Sequence, residues 1–381
     1  MTDDAANFLS YRDRIVPRSE VHFLRRLYVA FDRLHPIWVG RRQDAGFPEF
    51  GAEPLLLGGI GTRGAVAGAL FKHLGRLPSR PDLRALRPRL VHAHFGRGGA
   101  LALPLAEGLG VPLVVSFYGG DATKEKHYRP GLVPAIYARR LAALQERAAM
   151  FVCVSDFIRD RLLDRGFPRD KLVVIRSGVD LDLEPGTARK VPPGYILFAA
   201  RFVEKKGATY LIEAVRLLQA EGRKLPLVLI GEGPLEEELR RQAGALKNVL
   251  FHSWVPNREL RAWMAGAMAV CVPSCAAETG DAEGLPTVVI EAMAAGTPVV
   301  GSRHAGIGEA VEHERTGLLV PPEDPQAIAA ALRRLCEEPG LRDALARDAR
   351  RAAVERFDAR TQSRRLQQLL LDVIARHRGA S

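Results

Sequence analysis

Residues 277–302 read AETGDAEGLPTVVIEAMAAGTPVVGS and gather four carboxylates, Glu278, Asp281, Glu283 and Glu291, around a helix start. The apolar run 269–274 precedes them, so the first three acids belong on a loop at the carboxyl end of a strand. Pro286 suits a first helical turn, where its missing N–H is not needed, and Gly296 suits the helix end. Backbone N–H groups around Gly284, Leu285 and Thr287 then point outward and attract an anion such as phosphate. Glu291 follows about one and a half turns later, where a carboxylate can accept hydrogen bonds from ribose hydroxyls. Its neighbours Val288, Val289, Ala292 and Met293 make the helix apolar all round, and an acid among them requires a partner. Phosphate at one end and sugar hydroxyls further along suit a nucleotide. A second chemistry is open to the same acids: Glu283 with Glu278 or Asp281 as the paired acid and base of a glycoside hydrolase.

Two parallel sheets are expected to position these groups. Strand-like runs at 35–40, 53–59, 89–95, 112–119, 149–155 and 171–178 alternate with helical periodicity in the first half. The rhythm repeats at 195–202, 225–233, 248–254, 269–274, 297–303 and 317–322. Near-continuous apolar strands separated by helices indicate parallel sheets covered on both faces, hence an α/β chain of two doubly wound domains. Proline, glycine and charge break the pattern at 180–195, where the boundary is expected; beyond 323 the chain is helical. Ligands of such sheets lie at the carboxyl ends of strands, and the cleft between the domains is the expected site.

The 381 residues allow two cores, and 47% hydrophobic with 26% charged residues is the balance of a globular protein. No apolar run approaches the ~20 residues of a membrane span. MTDDAANFLS lacks the pattern of a signal peptide, so a cytoplasmic protein is expected. Cys153 and Cys271 sit in apolar strands as small hydrophobes, and the Cys271–Cys275 spacing has no second cluster to complete a metal site. The net charge of +11 is uneven: residues 1–190 hold 30 Lys+Arg against 20 Asp+Glu, the remainder 25 against 24. No zinc finger, basic zipper or aromatic-interleaved basic strand points to nucleic acid, which leaves an anionic membrane surface, an acidic ligand or a solvated face.

EGLPTVVIEAMAAGTPVVGSRHAGIGEAV, residues 283–311, resembles the signature of the retaining glycosyltransferases of family 4. The resemblance runs over roughly residues 89–325 and is strongest over 195–322. It implies the GT-B fold, two Rossmann-like domains facing across a cleft: 1–188 for the acceptor, 189–358 for the nucleotide-sugar donor, and 359–381 as a helix packing back on the first domain. FAARFVEKKGATYLIEA (198–214) resembles the family's first donor-domain strand and turn, which puts Arg201 and Lys206 on the donor diphosphate; by residue type alone they are a surface pair at a turn. Two fixed cations and a helix dipole can stabilise a leaving diphosphate without a metal. LIGEGPLEEEL (229–239) implies Gly231 and Gly233 as glycines that admit the nucleotide. Glu291 would bind the ribose, Glu283 would face the sugar and diphosphate near the reacting centre, and Gly284, Leu285, Pro286 and Thr287 would offer backbone contacts.

VHAHFG (91–96) and VVSFYGGDAT (114–123) resemble the family loops that line the acceptor side and sugar pocket. They bring in His92, His94, Tyr118, Gly119 and Asp121. Many members carry a histidine where this chain has Tyr118, which either hydrogen-bonds or packs. His92 and His94 share one face of a strand and read either as ligands or as satisfied core histidines. PRSEVHFLRRL (17–27) is similar to the family's first strand-to-helix turn and nominates Arg18 and Ser19, while GIGEAV (306–311) nominates Glu309. Asp180-x-Asp182 resembles the metal-binding pair of another glycosyltransferase fold but falls in the expected linker.

The resemblance implies transfer from a UDP- or GDP-sugar with retention and no required cofactor or metal, to a saccharide or lipid-linked acceptor. The loop AETGDAEGLP is similar to those of exopolysaccharide and lipopolysaccharide enzymes, and a lipid-linked acceptor would explain a basic first domain resting on the anionic inner membrane face. A non-catalytic nucleotide-sugar sensor is the remaining reading; a phosphorylase would need pyridoxal phosphate and its lysine, for which no motif is present.

Overall fold

In the computed structural model the chain divides into two units, Met1–Gly178 with Ala359–Ser381, and Val179–Asp358. The residues described are 5–16, 23–44, 53–58, 61–77, 82–125, 128, 135–182 and 192–379. Arg18 and Ser19 lie outside them.

The first unit is built on strands β1 (Ala6–Tyr11), β3 (Leu34–Gly40), β5 (Leu55–Leu56), β6 (Val91–His94), β7 (Leu113–Phe117), β8 (Met150–Cys153) and β9 (Leu172–Val174), with a small ribbon of β2 (Arg14–Ile15) and β4 (Arg42–Gln43). The large sheet has the order β5-β3-β1-β6-β7-β8-β9 and every pairing is parallel. β6, β7 and β8 are buried at every position, as a sheet covered on both faces requires. β1, an interior strand between β3 and β6, was not among the expected strands. Asn7 and Ser10 interrupt its apolar run and acids and arginines flank it, so its strand character comes from pairing with β3 and β6 on either side.

The second unit holds β10 (Tyr195–Ala199), β11 (Leu227–Ile230), β12 (Val249–His252), β13 (Ala267–Val272), β14 (Val299–Ser302) and β15 (Leu318–Val320). Their order β12-β11-β10-β13-β14-β15 is again all parallel, with Ile196 opposite Ala269 and Leu197 opposite Val270. This is a doubly wound sheet whose strand order reverses between β10 and β13. Phe198, Phe202, Leu229, Cys271 and Leu332 share its core. All four cysteines are free, and burial pushes the Cys271 thiol well up.

The unit boundary expected in 180–195 falls earlier, at Gly178–Val179. Within the second unit, Val179 N–H donates to Phe357 O at 2.7 Å, and Val179 also bridges Asp358. Gly178 belongs to the first unit, where a Cβ would stand 2.4 Å from Cα of Ala359. Departure and return of the chain are therefore pinned side by side, and the proline-rich stretch that broke the pattern lies inside the second unit. The terminal helix Ala359–Gly379 buries Leu366, Leu370, Val373 and Ile374 against Phe8, Leu24 and Leu34. Gln367 Oε1 accepts from the N–H groups of Asp32, Arg33 and Leu34 at 3.0, 3.0 and 3.2 Å. Among the described residues no helix is long and apolar enough to cross a membrane.

Candidate functional site

The loops that leave β10 and β13 meet where the strand order of the second unit reverses. Gly207 ends the first at φ +67°, and a Cβ there would stand 1.9 Å from Pro273 O, so only glycine fits. Cys275 N–H donates to Lys205 O at 2.9 Å and Glu278 N–H to Glu204 Oε1 at 2.9 Å, which clamps the loops together. A short 3-10 turn, Glu204–Lys206, sets the two lysines.

Both lysines converge on Glu283. Lys206 Nζ stands 3.0 Å from Glu283 Oε2 and Lys205 Nζ 3.0 Å from Oε1, while Lys205 also reaches Asp281 Oδ1 at 3.0 Å. The Glu283 side chain is only 10% exposed. Burial alone would push its carboxyl up, but the Lys206 and Lys205 ammonium groups outweigh it and hold the pKa at about 2. Burial likewise opposes the charge on Lys205, and Glu283 and Asp281 overcome it, raising its pKa. Glu283 is therefore ionised at neutral pH and has no proton to give, which disfavours the paired-acid hydrolase. Lys205 was not among the residues nominated from sequence; its only signal was its place beside Lys206 in EKKG, and geometry makes it the more heavily paired of the two.

Pro286 caps the helix Thr287–Ala294, one position before the expected first turn, with no side-chain cap and no acid in the opening turn. Glu291, buried to 4% exposure, is its fifth residue. Arg201 is exposed just beyond β10. A Cβ at Gly231 would lie 1.9 Å from Ala200 O and one at Gly233 2.4 Å from Phe202 O, so these glycines seat the turn after β11 against the backbone leading to the lysines. Glu309 lies in the first turn of Ile307–Ala310, its carbonyl accepting from Arg356. Asp180 Oδ1 accepts from Asp182 N–H at 3.1 Å, a local turn.

In the first unit, His92 and His94 are fully buried in a polar chain. His92 Nε2 lies 2.8 Å from Ser116 Oγ and Nδ1 2.8 Å from Tyr28 OH; His94 Nε2 lies 2.9 Å from Tyr28 OH and 3.0 Å from Ser10 Oγ. His94 Nδ1 is 2.7 Å from Tyr118 OH. Burial pushes His92 down to about 3 and His94 well below its usual value, so both rings are neutral. They are core histidines, satisfied by partners that only the sheet brings together; Tyr118, half-buried, is the end of the chain and both bonds and packs, its ring 4.7 Å from Phe23. Asp121 Oδ1 accepts from Gly119 N–H at 2.8 Å and Tyr118 N–H at 3.1 Å, and Oδ2 from Gly96 N–H at 3.1 Å. Its carboxylate holds the turn after β7 and the start of the helix Gly96–Leu109, which has no side-chain cap of its own. Burial raises its pKa against these bonds.

Residues 183–352 match the family described as glycosyl transferases group 1, and 46–183 match Glycosyltransferase Family 4. An amylovoran biosynthesis glycosyltransferase, AmsK of Erwinia amylovora, is 33% identical over 70% of this chain and 68% of its own length. The chain belongs to glycosyltransferase family 4. A putative colanic acid biosynthesis glycosyltransferase, WcaL of Salmonella typhimurium, is 36% identical over 63% of this chain; the match spans 59% of that relative, under two thirds of its length. Anabaena HepE, solved in complex with UDP and glucose, superposes with a TM-score of 0.76 at 19% identity, covering 96% of this chain and 100% of that one. That likeness is one of fold, the GT-B fold that family 4 takes. Within the family's signature, this chain's Glu283 is the carboxylate held by Lys205 and Lys206.

Proposed function

We propose that this protein transfers a sugar from a nucleotide sugar to an acceptor hydroxyl with retention at the anomeric carbon. The observation that carries the reading is the Lys205–Lys206–Glu283–Asp281 cluster at the strand reversal of a family 4 chain. Lys206 and Arg201 take the diphosphate, and the start of the helix Thr287–Ala294 adds its positive pole. Glu283 keeps the lysines in place and surrenders part of Lys206 to the donor. Glu291 receives the ribose hydroxyls. As the bond from the anomeric carbon to the phosphate oxygen breaks, the acceptor oxygen bonds that carbon on the same face and its proton passes to the departing phosphate. No resident cofactor is required; the donor is a UDP- or GDP-sugar.

The acceptor is a saccharide or lipid-linked saccharide of a surface polysaccharide, in keeping with the colanic acid and amylovoran relatives. The enzyme works in the cytoplasm at the inner membrane face. Charge supports this: the first unit carries 33 Lys+Arg against 18 Asp+Glu, the second 22 against 26, so the whole excess of positive charge lies in the first. A thermal-shift screen with UDP, GDP and ADP sugars tests the donor half, since a ligand of the native state raises Tm with its affinity. A shift with a UDP- or GDP-sugar that disappears in Lys206→Ala supports the reading; no shift with any nucleotide sugar sinks it.

A further inference from the structure

The helix Gly61–Leu74 carries its side chains inside out. Its buried positions are Gly64, Gly68 and Phe71. A Cβ at Gly68 would stand 3.3 Å from Cγ of Arg41, so the helix sits close on its unit largely through glycine. Its aliphatic side chains point the other way: Val66 is 60% exposed, Leu70 38% and Leu74 71%. Four residues apart, they fall along one face as a stripe. A surface helix of a soluble domain normally turns such a stripe inward.

Along the chain, the charge that flanks the stripe has one sign. Between Glu53 and Asp82 the sequence has no acid, while Arg63, Lys72, His73, Arg76 and Arg80 all fall there. Arg63, His73 and Arg76 are exposed beside the stripe. Exposed aliphatic side chains flanked in the chain by exposed basic ones match a lipid surface, whose acyl boundary takes the first and whose phosphates take the second. A protein partner is favoured by Phe, Tyr or Trp anchors, and the one such residue of this helix, Phe71, is buried.

We propose that the Val66–Leu70–Leu74 face is the surface on which the protein rests against an anionic bilayer. The stripe enters the headgroup boundary, and Arg63 and Arg76 meet lipid phosphates. This rests on the membrane location proposed above and names the element that makes the contact.

The test is sedimentation of the full-length protein with vesicles of phosphatidylglycerol and phosphatidylethanolamine, against vesicles of phosphatidylcholine alone. Wild type and Val354→Glu, a control on an exposed apolar residue of the second unit, pellet with the anionic vesicles and are released by about 0.5 M salt. Leu70→Glu with Leu74→Glu lowers the partition coefficient about 100-fold with an unchanged circular dichroism spectrum, and Arg63→Gln with Arg76→Gln lowers it about tenfold. The charge variant alters no packed side chain, so it reads the surface even should the double glutamate variant misfold. Wild type and both helix variants pelleting alike overturns this assignment and leaves the membrane location standing. Wild type ignoring anionic vesicles at low salt overturns both. A dimer in wild type that the glutamate variant dissolves, with vesicle binding unaltered, gives the stripe to a second copy and likewise refutes the proposal.

Discussion

Replacing Glu283 by glutamine removes one negative charge from between two ammonium groups and alters little else. The charged carboxylate is stabilised in the fold to the extent that its pKa stands at about 2 in place of 4.5, a difference worth about 3 kcal/mol. Because the folded pKa is the lower one, this stability is fully present above about pH 5.5 and is lost as pH falls through 4.5 toward 2. Relative to wild type at neutral pH, Glu283→Gln is therefore destabilised by about 3 kcal/mol, a fall in Tm of roughly 6–12 °C for a unit of this size. The gap narrows by about 0.8 kcal/mol at pH 4 and about 2 kcal/mol at pH 3, where the unfolded wild type binds the proton that the folded one refuses. Urea unfolding of both proteins at pH 7, 4 and 3 measures the difference directly. A gap that stays the same at all three values, or no loss at pH 7, would falsify the account of Glu283 as an anion held by Lys205 and Lys206. Turnover separates structure from chemistry: the variant pre-saturated with donor still loses kcat if Glu283 also positions Lys206.

Other outcomes follow from single contacts. Lys206→Ala weakens UDP binding by about 10- to 100-fold in calorimetry, more than Lys205→Ala, since Lys205 has a second carboxylate holding it away from the donor. Gly207→Ala, which forces a Cβ to 1.9 Å from Pro273 O at φ +67°, costs at least about 3 kcal/mol by urea unfolding and abolishes donor binding by parting the loops. Gln367→Leu strands the N–H groups of Asp32, Arg33 and Leu34 and costs the first unit about 3 kcal/mol; a midpoint equal to wild type would remove that role from the terminal helix. His92, pushed down to about 3, and His94, pushed lower than usual, stay neutral in the fold and protonate once unfolded. Through His92 alone the first unit therefore loses about 1.4 kcal/mol between pH 7.5 and 5.5, with a further loss through His94, readable in Trp38 fluorescence, whereas a flat profile would mean that the rings take up protons in the fold as readily as in the unfolded chain.

The second unit was legible because each of its strands is a short apolar run that needs nothing from its neighbours to be recognised. The carboxylate loop was legible for a similar reason: Glu283, Pro286 and Glu291 follow one another in the chain. What the sequence hid was contact between distant segments. Lys205 became part of the cluster only when Gly207 packed on Pro273 and brought the two loops together. His92 and His94 read as either ligands or core until the sheet laid Ser10 and Ser116 on either side, and until Tyr28 joined them from outside the sheet. β1 escaped because Asn7 and Ser10 spoil a pattern that only β3 and β6 complete. The boundary was misplaced because proline and glycine mark irregular backbone, whereas the step at Gly178–Val179 is a pair of close backbone contacts with no composition of its own.

The pinning of Val179 beside Phe357 and Asp358 has a consequence for synthesis on the ribosome. The second unit is one uninterrupted stretch whose two ends touch, so it can condense as soon as it emerges. The first must wait: the helix that covers Phe8, Leu24 and Leu34 is translated only after the whole second unit. Of the two units, the one begun first is thus finished second, and a nascent chain stopped at Asp358 holds a completed second unit and a first unit with an open flank.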